Sequence, residues 1–394
     1  MIMLDLDIHS LFKNYNLFQE KSFNSSKIFK YSELLKMIKT YESICSIVPV
    51  GFSIEERKIF KIQWGSGTCK VFIWSQMHGN ETTGTKAMFD ILHFFLKEKN
   101  HDLVRFIKKN LTILFIPMLN PDGSETYQRR NAVNIDLNRD AIRLQSPEIQ
   151  ILFHEIQYNK PNILFNLHDQ RSIYNVGNEN FNPAILSFLC PSVKKKKDTK
   201  ISPISPERKK AMGLIAHIEK KMRSILPYTG SIGRFSDEFY PTATGDNLQK
   251  NGYPCILFEA GNYPKDPQKN IIRKYNALSI LIGLYVLSIQ EIDLEKKYSS
   301  YFTIPENKKK LLDKIYRGVE IQRGKYQFLV DIGIRNIEKF NVFKNDIDLI
   351  SKIVDIGDLS NFFSYEYSIC HGKKFHIKGR NYPVIGDIES FDIL

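Results

Sequence analysis

Cysteine is scarce. The 394 residues hold five, at positions 45, 69, 190, 255 and 370, widely spaced and without a CxxC pair. An odd, scattered set excludes a disulfide framework and a thiolate-built zinc ribbon; it reads as reduced, buried thiols and an expected cytoplasmic setting. Uncharged runs of membrane-spanning length are also lacking. The longest apolar stretch, around Leu278–Ile289, carries Ser279, Gly283 and Tyr285 and reads as a buried helix. Asp5 and Asp7 interrupt the opening residues, which therefore do not read as a signal peptide. No internal repeat, zinc-finger spacing or aromatic-interleaved basic repeat occurs. The net charge of +13 accordingly reads as compositional bias, with Lys, Ile, Asn, Phe and Tyr all abundant, and neither nucleic acid nor a membrane is expected as a partner.

What is present suits a soluble globular chain: 42% hydrophobic and 25% charged residues, enough length for one large domain and an appendage. Periodicity predicts helices over Tyr31–Thr40, Thr82–Lys97, Ser146–Tyr158, Glu207–Leu226 and Asn270–Ile289. Short apolar runs predict strands at Ser46–Val50, Lys58–Trp64, Lys70–Ser75, Leu111–Ile116, Ile163–Leu167 and Cys255–Phe258. Strands and helices alternate, and the notable polar residues fall at strand ends, the edge of an α/β sheet where ligands bind. Beyond residue 296 the pattern changes to a short helix over Glu306–Ile315 and β-type stretches at Tyr326–Ile334, Leu349–Ile356 and Phe363–Ile369. The expected fold is α/β, a mixed sheet flanked by helices, with residues 1–295 as the catalytic domain and 296–394 as a small, mostly β appendage. His371 and His376 in that appendage read as solvated. The row Lys194–Lys197 reads as a solvated loop, with steering of acidic substrates as the functional alternative.

Four pieces need a joint explanation: His78 and Glu81 after the run Val71–Trp74, the segment Arg129–Arg139, His168 at a strand end, and Glu259 at another. A catalytic zinc takes three protein ligands and keeps a fourth position open. His78, Glu81 and His168 supply two nitrogens and a carboxylate. Asp136 can orient a histidine through its second ring nitrogen. Zinc lowers the pKa of bound water toward ~7, and Glu259 on an apolar strand suits the general base. Arg129 can stabilise a developing oxyanion. Arg139 beside Asn138 can grip a substrate carboxylate bidentately.

These residues resemble the zinc carboxypeptidase family that includes the pancreatic carboxypeptidases. The matches are His78-x-x-Glu81, the turn Asn120-Pro121-Asp122-Gly123, Arg129-x-Asn131, Asp136-Leu137-Asn138-Arg139, the strand end Asn166-Leu167-His168, and Phe258-Glu259, in order over roughly residues 45–290. The resemblance implies one zinc on His78, Glu81 and His168, with Glu259 as base and Asp136 supporting His78. It places Arg129 on the scissile carbonyl and Asn138 with Arg139 on the terminal carboxylate of a peptide. Tyr240 is the candidate for the family's mobile, substrate-closing tyrosine. Two features depart from the pancreatic pattern: Asn80 stands where those enzymes have an arginine, and Gly245 offers no charge in the specificity pocket, next to Asp246. The sequence Phe258-Glu259-Ala260-Gly261 is closest to bacterial-type, non-secreted members. His-Gly-Asn-Glu at 78–81 and Asp-Leu-Asn-Arg at 136–139 also resemble the zinc deacylases of N-acyl amino acids, so an acyl-amino-acid substrate with a free carboxylate is the runner-up. A cell-wall peptide is a third substrate class, and a non-enzymatic binding module on the same fold is the reading from a different class.

Overall fold

The computed structural model describes residues 6–23, 27–192, 204–289 and 292–394. The chain forms two compact units: residues up to Gln170 with Ile185–Glu306, and Arg171–Ala184 with Asn307–Leu394. The second unit is thus discontinuous and takes a segment from inside the span that the sequence assigns to the catalytic domain. The row Lys194–Lys197 lies outside the described residues.

The strands of the first sheet are β1 (Ser46–Phe52), β2 (Lys58–Gly65), β3 (Cys69–Trp74), β4 (Leu111–Ile116) and β5 (Ile163–Asp169). After β6 (Tyr174–Val176), which belongs to the second unit, come β7 (Ala184–Leu189), β8 (Ser231–Arg234) and β9 (Cys255–Ala260). The sheet order is β1-β2-β4-β3-β5-β9-β7-β8. β4, β3, β5 and β9 run parallel, while β1–β2, β2–β4 and β7–β9 are antiparallel. The fold is therefore a mixed sheet flanked by helices, as expected, with an additional β region at the C-terminal end.

The parallel centre explains why β3 reads as an unbroken apolar run. Val71 and Ile73 enter one core and Phe72 and Trp74 the other, so both faces are covered. Helix Pro147–Asn159 closes one face with Ile149, Leu152 and Ile156, one stripe at helical spacing. Helices Thr83–Lys97, Pro206–Met222 and Asn270–Ser288 pack on the other. Asn270–Ser288 is long and apolar enough to cross a bilayer, but its window is 89% buried inside the protein. A core position accounts for that composition.

The second unit is a four-stranded sheet of order β13-β12-β11-β14, built from β11 (Leu311–Arg323), β12 (Tyr326–Asn341), β13 (Asp346–Gly357) and β14 (Phe363–Ile369). The helix expected over Glu306–Ile315 is not formed. That stretch is β10 (Asn307–Lys309), paired with β6, and the start of β11. Leu311, Leu312 and Ile315 mimic helical spacing, but the stretch is held as a strand by pairing with β12 along one edge and β14 along the other. Segment 171–184 is tied into this unit by more than β6: Tyr365 Oη donates to Ser172 O at 3.2 Å, Leu311 N donates to Ile173 O at 3.1 Å, and Phe181 packs edge-on against Tyr365.

Candidate functional site

The parallel strands β3, β5 and β9 end at one edge. In register, Trp74 lies opposite Asn166, and His168 opposite Glu259. β3 runs out into the turn that carries His78 and Glu81, so two strands and one turn bring His78, Glu81, His168 and Glu259 to one edge of the sheet.

The turn is shaped by a close approach. A Cβ on Gly79 would stand 2.2 Å from Gly123 C and 2.3 Å from Ser124 N. Only glycine lets the ligand turn lie on the turn that starts at Asn120. That residue does double duty: its Oδ1 accepts from Gly123 N at 2.9 Å, and its Nδ2 donates to Met77 O at 3.4 Å and Arg129 O at 3.3 Å. The Asn-Pro-Asp-Gly motif is thus a brace between the ligand turn and the Arg129 segment. Gly79→Ala is expected to weaken zinc binding by at least about tenfold, the scale of lost support behind a ligand. Titration of zinc against a chromophoric chelator checks it, and an unchanged affinity would remove the brace from the account.

Nδ1 of His78 lies 2.8 Å from Glu81 Oε1, Nδ1 of His168 lies 2.6 Å from Glu81 Oε2, and the two Nδ1 atoms are 3.1 Å apart. A tetrahedral zinc with bonds of ~2.1 Å separates its ligand atoms by about 3.4 Å, so this spacing fits one ion. Among the described residues this is the one group of three His, Cys, Asp or Glu side chains that could hold a metal. Behind it, His78 Nε2 lies 3.1 Å from Asp136 Oδ1, which fixes the ring with Nδ1 toward the centre. The same Oδ1 accepts from Asn138 N at 2.9 Å, and Oδ2 accepts from Arg129 Nε at 2.9 Å. Arg129 Nη1 in turn stands 3.1 Å from both His78 Nδ1 and Glu81 Oε1. The donor set, its orientation and its support all fit zinc.

The charges separate the carboxylates into two kinds. Burial opposes the charge on Glu81, but His78 and His168 hold it well below the ordinary range. Asp136 is likewise held well below it, against burial, by His78 and Arg129. Glu259 goes the other way: burial, then the charges of Glu81 and Asp169, push it well above the usual carboxylate value. Its Oε2 is fully covered and makes no hydrogen bond, leaving an acceptor oxygen open. Burial lowers His168, which favours the neutral ring that a metal requires.

The expected substrate-side residues form a second, connected group. Asn138 Oδ1 accepts from Thr244 N at 2.9 Å, and the Arg139 guanidinium lies 4.6 Å from the centre of the Tyr240 ring. Tyr240 N donates to Asp246 Oδ1 at 2.7 Å, and burial pushes Asp246 up to about 6. Asp246 thus has a backbone partner that the sequence does not reveal. Arg139 and Tyr240 are both exposed. His371 and His376 stay outside any ligand group; His376 Nδ1 pairs with Asn381 Oδ1 at 3.0 Å. Sequence reasoning missed Thr83, Asp169 and Lys269. Asp169 Oδ2 accepts from Thr83 Oγ1 at 2.5 Å and lies 3.3 Å from Lys269 Nζ. The available signal was a second charged residue directly after His168.

Residues 31–187 match the family described as zinc carboxypeptidase. Carboxypeptidase 2 of Trichophyton rubrum is 30% identical over 133 residues, 30% of this chain and 24% of the relative. Carboxypeptidase D of Homo sapiens is 26% identical over 140 residues, 31% of this chain and 10% of the relative. The matched region is thus about a quarter or less of these relatives' length. Among solved structures, a metallo-carboxypeptidase from Burkholderia cenocepacia superimposes with a TM-score of 0.52 at 15% identity, over 67% of this chain and 70% of that one. Bovine thrombin-activatable fibrinolysis inhibitor, in complex with tick carboxypeptidase inhibitor, gives 0.51 at 12%, over 66% and 96%. At such identities these two structures speak for the fold.

Proposed function

We propose, from the match of residues 31–187 to the zinc carboxypeptidase family, that the protein is a zinc metallocarboxypeptidase, a hydrolase that removes C-terminal residues from peptides with a free carboxylate. The observation that carries this reading is the convergence of His78 Nδ1, Glu81 and His168 Nδ1 within hydrogen-bond distance of one another, with Asp136 behind His78.

His78, Glu81 and His168 would hold one zinc, which when bound supplies the Lewis acidity that amide hydrolysis needs at neutral pH. The other steps fall to side chains. Glu259 Oε2 takes a proton from the attacking water and returns it to the leaving amine. Arg129, tethered through Nε to Asp136, offers Nη1 beside the ligand atoms, where it balances charge on the scissile carbonyl oxygen. Asn138 and Arg139 receive the terminal carboxylate, and Tyr240 covers it. Asn138 is already fixed by Thr244 N, so its amide group is presented in one orientation. The five free thiols suit a reducing compartment, and we place the protein in the cytoplasm.

The test is mass spectrometry of a pool of free-ended and C-terminally amidated peptides incubated with the protein, with and without chelator. Loss of single C-terminal residues from free-ended peptides, stopped by chelation, is the expected result. No cleavage despite one zinc per chain would overturn it and direct the assay to acyl-amino acids and muropeptides. On the same pool, Arg139→Gln is expected to lower kcat/KM by about 100-fold, the loss of a charged partner for the carboxylate. An effect under about threefold would remove Arg139 from the clamp.

A further inference from the structure

Lys269 occupies an unfavourable place. It is the cap residue of the 19-residue helix Asn270–Ser288, with φ +56°, where a cation opposes the helix dipole and a side chain is rarely accommodated. The helix does not need it there, because Asp266 accepts from the backbone N of Asn270, Ile271 and Ile272 at 2.8, 2.9 and 3.0 Å. What Lys269 reaches is the end of β5. Its Nζ lies 3.3 Å from Asp169 Oδ2 and 3.5 Å from Gln170 O, the last two residues before the first unit is interrupted. The Lys269 and Asp169 side chains are only 12% and 11% exposed, so the pair is largely stripped of water.

Asp169 in turn holds Glu81 from two sides. Its backbone N donates to Glu81 Oε2 at 3.3 Å, and its Oδ2 accepts from Thr83 Oγ1, two residues beyond Glu81 at the start of helix Thr83–Lys97. It also directly follows His168. The charges point the same way: with a divalent ion bound, Arg129 and Lys269 would complete the balance of the four carboxylates Glu81, Asp136, Asp169 and Glu259.

We propose that Lys269 is a positioning residue for the metal centre: by holding Asp169 it fixes the end of β5, and with it His168, against Glu81. This rests on the reading of His78, Glu81 and His168 as a zinc site, but not on what the enzyme cleaves. The partners of Lys269 Nζ are Asp169 Oδ2 and Gln170 O, so its effect belongs in the affinity for zinc.

The experiment titrates zinc against a chromophoric chelator in the full-length protein and in Lys269→Met, Lys269→Arg, Asp169→Asn and the Lys269→Met/Asp169→Asn double variant. Lys269→Met is expected to weaken zinc binding at least about tenfold. Lys269→Arg should return it to within about threefold of wild type. The double variant should be no weaker than the worse single one, because both act through one interaction. At saturating zinc, KM should match wild type. An unchanged zinc affinity in Lys269→Met overturns the proposal while leaving the zinc site standing, as does a raised KM at full zinc occupancy. A wild-type protein that takes up no stoichiometric zinc overturns the zinc site itself and this role with it. If Lys269→Met does not fold, Lys269→Gln, which keeps a donor without charge, carries the same comparison.

Discussion

Glu259→Gln is expected to lower kcat/KM on free-ended peptides by about 1000-fold, within the range a general base supplies, while one zinc per chain still binds. Glutamine keeps the shape of the side chain and its place opposite His168 on β5. It removes the ability to take a proton. The wild-type pH profile should carry the same signature. Burial with Glu81 and Asp169 nearby pushes Glu259 up, so its proton-accepting form is lost already above the ordinary carboxylate range as pH falls. A bound dication opposes that shift, so the acid limb of kcat/KM lies below the titration of the metal-free protein. The check is steady-state kinetics across pH beside metal analysis of both proteins. A variant within about tenfold of wild type, with zinc bound, would assign proton transfer to another group.

Arg273→Met is expected to cost about 3–5 kcal/mol of stability, the penalty for stranding a buried charge, and roughly 10 °C in Tm. Asp90 is fully buried and Arg273 nearly so. Arg273 Nε donates to Asp90 Oδ2 at 2.7 Å, and its Nη2 donates to Asp90 and, at 2.8 Å, to Glu20 O. Asp90 also accepts from Tyr15 Oη and from Glu20 N at 2.8 Å. The guanidinium lies 4.5 Å from the centre of the Phe23 ring. The N-terminal segment is thus pinned to two core helices through one carboxylate. Asp90→Leu combined with Arg273→Met should recover much of the loss, because no charge is then left uncompensated. Urea unfolding of the three proteins decides it; a single variant within about 1 kcal/mol of wild type would show that the carboxylate finds another partner or takes up a proton.

The cluster that could hold a metal was legible because its chemistry is short-range in sequence: His78 and Glu81 share a turn, and His168, like its neighbour Glu259, ends an apolar run. The sheet was legible where strands are buried on both faces, as in β3 and β4. The second unit was harder. Leu311, Leu312 and Ile315 satisfy helical and strand spacing alike, and only the neighbours β12 and β14, distant in the chain, settle which forms. Lys269 escaped for a related reason. Its partner is a hundred residues away, and a lysine at a helix start carries no chemistry of its own until Asp169 is beside it. Asp246 reads from sequence equally as a buried structural carboxylate or as a specificity selector, and its burial and hydrogen bond from Tyr240 N give it structural work.

The interrupted path of the chain has a consequence for biosynthesis. β6 finds its partner β10 about 130 residues later, and segment 171–184 finds Leu311 and Tyr365 only after the ribosome has made them. At ~5–20 residues per second that is a wait of roughly 10 s. Throughout it, segment 171–184 is synthesised without those partners, while Asp169 and Gln170 can already pair with Ala260 once β9 is made. The sheet of the first unit can therefore close, with His168 in register against Glu259, before the second unit has all its strands.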